Sequence, residues 1–127
     1  MRRLFFSKYL LLSDKLENHV NMLKEVKQGV LPSGCFVLCI NSSSNNLMDI
    51  YYCEELKKPH INMENLLIIA ICKDKTDAKE KCAEILGDFV AKNKSLDGFK
   101  ERYLEGRLVA SGREHHTFRR CSPMQPE

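Results

Sequence analysis

Seven consecutive residues, Leu66 to Cys72 (LLIIAIC), contain no polar side chain. A strand with one wet face alternates apolar and polar positions, so an unbroken run predicts a strand buried on both faces. The run is far too short to cross a bilayer, which takes about 20 apolar residues in a helix. A strand with no wet face needs layers on both sides, and the rest of the chain must supply them.

One layer comes directly after the strand. Asp74 or Thr76 can accept a hydrogen bond from an otherwise unpaired backbone N–H and so start a helix. Ala78, Cys82, Ile85, Leu86 and Phe89 then recur at three- and four-residue spacing, which gathers them on one helical face. Lys79, Glu80, Lys81, Glu84, Asp88 and Lys92 fall on the other face.

Two further strands are predicted upstream. Cys35–Ile40 is a second apolar run, and Leu47–Tyr51 forms a hairpin with it across the polar loop Asn41–Asn46. Asp49 inside the shorter strand points to an edge position. Residues 53–58 read as a turn or two of helix stopped by Pro59, and Asp97 precedes a short helix from Gly98 to Glu105. Near the N-terminus, residues 4–12 are apolar around Lys8 and fit either a short strand or the lead-in to a helix. Ser13-Asp14 is a plausible helix start and Gly29 a stop. Alternatively, Phe5, Tyr9, Leu12, Leu16, His19, Leu23, Val26 and Val30 keep a heptad spacing, consistent with one continuous helix carrying a dimer seam. Packing on the chain's own sheet is the favoured reading.

The expected fold is therefore α/β, with α+β as the alternative: a three-stranded mixed sheet in the order αββ(α)βαα, covered by helices. The chain of 127 residues suits a single domain, assigned to residues 1–106. From Arg107 the hydrophobic period is lost, and residues 107–127 read as a basic, flexible tail.

Charge restricts the partner classes. The formal net charge is +3, but residues 1–8 carry +3, residues 107–127 carry +2 and the body between them carries −2. A nucleic-acid footprint on the body is not expected. Contact by the tail, with four arginines, His115, His116 and Phe118, is the weaker alternative. Lys8 interrupts the N-terminal apolar stretch and no small-residue cleavage site comes after it, so neither a signal peptide nor a membrane span is expected. Most of the six cysteines lie in apolar runs and read as reduced thiols, which favours a cytoplasmic setting.

The layout nominates candidate sites. If Cys35–Ile40 and Leu66–Cys72 are parallel neighbours, the loops after them share the rim where open α/β sheets bind ligands. Asn41, Ser42, Ser43 and Asn45 would then meet Lys73, Lys75 and Thr76, and the helix start could receive a phosphate or carboxylate. That turn contains no glycine, so it matches neither a phosphate-binding loop nor a dinucleotide fingerprint. Cys35-x-x-x-Cys39 with Cys72 is better explained as packing than as a metal or redox site. The small acidic group Asp49, Glu54 and Glu55 reads as a solvated edge.

Residues 34–105 resemble a group of short uncharacterised α/β proteins from Gram-positive bacteria. The shared features are Asn45-Asn46-Leu47-Met48-Asp49-Ile50, the break Leu56-Lys57-Lys58-Pro59, and a strand leading into a helix like Thr76-Asp77-Ala78-Lys79-Glu80. The resemblance implies a compact α/β domain and no particular activity. Glycines expected near positions 70–73 are absent here, and the tail has no counterpart. No catalytic set, metal or cofactor is expected. The leading functional expectation is a non-catalytic protein-interaction or regulatory module, acting through the sheet edge or the N-terminal helix. A binder of a small anion at the rim is the alternative, and a small enzyme comes last.

Overall fold

The computed structural model describes residues 4–105, 107–110 and 119–120. Its elements are β1 (Leu4–Leu12), α1 (His19–Lys27), β2 (Phe36–Asn41), β3 (Asp49–Tyr52), α2 (Cys53–Leu56), β4 (Leu66–Cys72), α3 (Lys75–Asn93), α4 (Phe99–Glu105), β5 (Arg107–Ala110) and β6 (Arg119–Arg120). A short 3-10 turn, Met63–Asn65, leads into β4. The strands form one mixed sheet in the order β3-β2-β4-β1-β5-β6. The class is mixed α/β, as expected, but the sheet has more than three strands.

β4 occupies the interior of the sheet, and each of its seven residues is buried. Leu66, Ile68 and Ile71 pack on one face with Leu4, Phe6, Val37 and Cys39, beneath Val26 of α1 and Leu56 of α2. Leu67, Ile69, Ala70 and Cys72 pack on the other with Phe5, Leu38 and Ile40, beneath Ala78 and Phe89 of α3 and Phe99 of α4. Adjacent residues Ile69 and Ala70 share a face because the β2–β4 register slips between Leu38 and Cys39. Such a bulge puts two residues of one strand opposite one of its neighbour and re-aims the side chains beyond it.

Two expectations are corrected. β2 and β4 are antiparallel, with Phe36 opposite Cys72 and Asn41 opposite Leu66. The parallel neighbour of β4 is β1, through Phe6–Ile68, Leu11–Ala70 and Leu12–Ile71. Residues 4–12 are thus a strand, and the helix after them is only His19–Lys27, preceded by Asn18 in the left-handed conformation at φ 57°. The heptad positions fall on a strand, a loop and a helix, so no continuous seam exists. Leu4, Phe5 and Phe6 bury side chains on both faces of the sheet, a demand that a one-stripe helix does not satisfy.

The hairpin β2–β3, the edge position of β3 and the helix α3 stand where the patterning predicts them. Asp74 caps α3, its carboxylate accepting the Asp77 N–H at 2.8 Å. Beyond the expected domain boundary, Arg107–Ala110 run antiparallel to the first half of β1, from Leu4–Ala110 to Ser7–Arg107. His115, His116, Phe118 and Cys121 lie outside the described residues. Among the described residues no helix is long and apolar enough to cross a membrane.

Candidate functional site

The antiparallel pairing of β2 and β4 separates the two halves of the expected rim. Asn41–Asn46 sit beside the start of β4, where the Ser42 N–H reaches the Asn65 carbonyl at 2.9 Å. Lys73, Lys75 and Thr76 lie past its other end, about 20 Å away at ~3.3 Å per residue. The polar loop is occupied with its own geometry. Asn41 Oδ1 accepts the Ser43 N–H, Ser44 Oγ accepts the Asn46 N–H, and the Asn46 amide donates to Asp49. The Lys100 ammonium closes the loop against α4 by donating to the Asn41 and Ser44 carbonyls at 3.3 and 2.6 Å. Asn45 is exposed.

The partner that does meet Lys73–Asp77 is the loop after β1. β1 and β4 are parallel neighbours, and the helices after them cover opposite faces of the sheet, α1 one and α3 the other. Their carboxyl ends therefore flank a topological switch point, the usual ligand crevice of open α/β sheets. Here the chain fills that crevice itself. Ser13 and Asp77 are fully buried. The Ser13 N–H donates to the Ile71 carbonyl at 3.0 Å and its Oγ accepts the Lys15 N–H at 3.2 Å. Asp77 Oδ2 accepts the Lys73 N–H at 2.8 Å. Asp77 Oδ1 is buried without a well-formed hydrogen bond, although the Ser13 hydroxyl stands near enough to favour the ionised carboxylate.

Burial alone would raise the Asp77 carboxyl. The Ser13 hydroxyl, the Lys73 N–H and the Lys15 and Lys81 charges outweigh it and hold the group below the usual carboxylate range. Outside this core, Lys15 pairs with Glu80 at 2.7 Å, and Lys81 with Asp14 at 3.3 Å and Glu84 at 3.2 Å. Two carboxylates take the Lys73 and Asp77 amides, and the Lys15 and Lys81 ammonium groups have carboxylate partners. An anion at the start of α3 would face the Asp74 and Asp77 carboxylates.

The crevice has no assembled nucleophile. His19 Nε2 lies 2.8 Å from the Ser13 carbonyl oxygen, so the ring donates there and does not engage the hydroxyl. Burial pushes the Cys53 and Cys72 thiols up to about 12 and Cys39 well upward, which keeps them protonated and unreactive at neutral pH. Cys35, Cys39, Cys53, Cys72 and Cys82 are unbridged. Among the described residues no group of three or more His, Cys, Asp or Glu side chains converges as a metal site.

Among the described residues, an open feature lies elsewhere on β1. α3 packs on β4, β2 and β3, and α4 packs on β1. Between them the sheet face is partly open at Tyr9 and Leu11, which are 45% and 37% exposed. A groove of about 200 Å³ runs there, walled by Ile85, Asp88, Phe89 and Lys92 of α3 and by Arg102 and Tyr103 of α4. Its floor is held from beneath by an aromatic chain. Phe89 meets Phe99 edge-on at 5.2 Å, Phe99 meets Tyr103 at 5.1 Å, and Tyr103 meets Tyr9 edge-on at 6.0 Å. The Lys8 ammonium and Arg102 guanidinium lie 5.1 and 5.4 Å from the Tyr9 ring centroid. Burial also pushes the Tyr103 phenol upward, so it stays neutral.

The exposure of this floor has a local cause. Between Phe6 and Leu11 the β1–β4 register slips, β1 spending five steps where β4 spends two. Ser7 turns inward, fully buried, and its Oγ accepts the Tyr9 N–H at 2.9 Å. The detour swings Lys8 and Tyr9 out of the layer. Lys8 breaking the apolar run was the one sequence signal for it, and nothing in the sequence linked Tyr9 to Arg102. A second apolar exposure is Val20 and Leu23 on α1.

Compared with known proteins, the chain matches no protein-family model, no curated protein and no solved structure.

Proposed function

We propose that this protein is a non-catalytic interaction module that receives a segment of a partner protein in the groove over Tyr9 and Leu11. The carrying observation is a partly open stretch of sheet face beside a chain of packed aromatic rings. Small-molecule sites usually enclose about 300–1,000 Å³. A groove of about 200 Å³ instead suits one or two side chains of a longer chain that continues over the surface. Tyrosine and arginine at its centre are the residue types that dominate protein–protein binding energy.

The reading places the protein in the cytoplasm, where its buried thiols stay reduced. Membership of the Gram-positive group of short α/β proteins belongs to the same proposal and rests on residues 45–50, 56–59 and 76–80. The small-anion alternative loses support because the chain's own carboxylates hold the start of α3.

The test is a displayed random-peptide library selected against the wild-type chain, with Tyr9→Ser, Leu11→Asp and Val20→Asp variants as controls. Selected peptides should lose binding to the first two variants and keep it with Val20→Asp on α1. Equal binding to Tyr9→Ser, or loss only with Val20→Asp, would overturn the groove reading.

A further inference from the structure

We infer that the groove's occupant is an acidic peptide segment carrying one apolar or aromatic anchor residue. The inference rests on the interaction-module reading above and adds the chemistry of the partner. The groove's apolar part, Leu11, Ile85 and Phe89 with the edge of Tyr103, is sized for an anchor side chain. Two cations line it, Lys92 on α3 and Arg102 on α4, and a third, Lys8, stands beside Tyr9 at its edge. None of the three forms a salt bridge among the described residues. Asp88 is the one carboxylate in the lining. Elsewhere on the same strand's exit, Lys15 and Lys81 are matched to Glu80, Asp14 and Glu84. Cations that lack a carboxylate partner around an apolar slot can take one from outside, and a partner bearing carboxylates beside its anchor supplies it.

A nucleic acid would also bring negative charge, but two observations favour a peptide. The Tyr9 ring already has two cationic groups beside it, leaving less of its face for a stacked base. The body from residue 9 to 106 is net negative, which opposes a polyanion running beyond the groove. A second copy of the chain adding to the edge of β1 is opposed by the detour at Ser7–Leu10 and by Lys8, since a bulge and an edge lysine both blunt strand pairing.

The experiment uses fluorescein-labelled ten-residue peptides with a central Phe or Leu, flanked by Glu, by Ser or by Lys, plus an equally labelled oligothymidylate. Anisotropy is measured with the full chain at low and at high salt, and light scattering gives the oligomeric state. Melting temperatures verify that each variant is folded. The Glu-flanked peptides should bind best, weaken with salt, lose about tenfold in affinity to Arg102→Glu, and lose binding to Tyr9→Ser. If Ser- or Lys-flanked peptides bind as well, still through Tyr9, the acidic inference is overturned while the groove reading stands. Preference for the oligothymidylate overturns the inference in favour of a nucleic acid. A dimer dispersed by Tyr9→Ser, with no peptide bound, overturns it in favour of a second copy. No binding by a monomer, or binding indifferent to Tyr9→Ser, overturns inference and reading together.

Discussion

The crevice at the ends of β1 and β4 and the groove over Tyr9 lie within a few residues of each other on one strand, yet they are finished in opposite ways. In the crevice, the buried Asp77 carboxylate takes the Lys73 amide on Oδ2 and faces the buried Ser13 with an Oδ1 that has no well-formed hydrogen bond, and paired charges lie outside them. In the groove, an apolar floor meets walls whose cations, Lys92 and Arg102, have no carboxylate partner among the described residues. A switch point is where an α/β sheet most often opens to a ligand. This one is closed with the chain's own side chains, and the opening has moved to where a detour in β1 leaves the sheet face uncovered. Fold geometry nominates a place, and the balance of donors, acceptors and apolar surface decides whether it is vacant.

Variants that remove one region while sparing the other break or sharpen this contrast. The largest effect is expected at Phe99, fully buried and central to the aromatic chain. Phe99→Ala should cost about 3–5 kcal/mol of unfolding free energy in urea. It should also loosen Tyr103 and Tyr9, so peptide binding should fall in the fraction that remains folded. Next comes Asp77→Ala, which strips the Lys73 amide of its buried acceptor and should cost about 1–3 kcal/mol. Groove binding should be unchanged in that variant at temperatures where it is folded.

The Asp77 latch also carries a pH signature. Its carboxyl is held below its ordinary value in the folded chain, so its contribution is complete at neutral pH. That contribution should decline as pH falls below about 4 and vanish below the folded-state value. Asp77→Asn should flatten this limb of the stability–pH curve. The cysteines act in the opposite direction. Cys53 and Cys72 are raised from 9.0 to about 12, so the folded chain keeps protons that the unfolded chain releases. Stability should therefore fall as pH rises from about 9, and at neutral pH a thiol reagent should label these cysteines only as fast as the chain opens. The smallest effect on stability is expected in the groove itself. Leu11→Ser should stay within about 0.5 kcal/mol of the wild type while losing binding.

The features legible in the sequence arose from local physics. An unbroken apolar run identified β4, three- and four-residue spacing identified α3, and turn-forming residues placed the β2–β3 hairpin. β1 was ambiguous because its apolar residues serve both faces and then detour, so neither period of two nor period of 3.6 persists. The direction of pairing between β2 and β4 depends on which strand competes for each edge, and no tight turn joins them to announce it. Lys73, Lys75 and Thr76 follow the end of β4, where the loop beside them comes from the parallel neighbour β1 and not from the antiparallel β2. The groove was illegible for the same reason: Tyr9, Phe89 and Arg102 meet only through tertiary packing.

The contrast between closed crevice and open groove is tested most directly by amide chemical shifts of the full chain during titration with the Glu-flanked Phe peptide. Perturbations should concentrate at Tyr9, Leu11, Phe89, Arg102 and Tyr103, with Ser13–Lys15 and Lys73–Asp77 unmoved. Shifts centred on Ser13 and Asp77, with Tyr9 and Arg102 silent, would contradict the account.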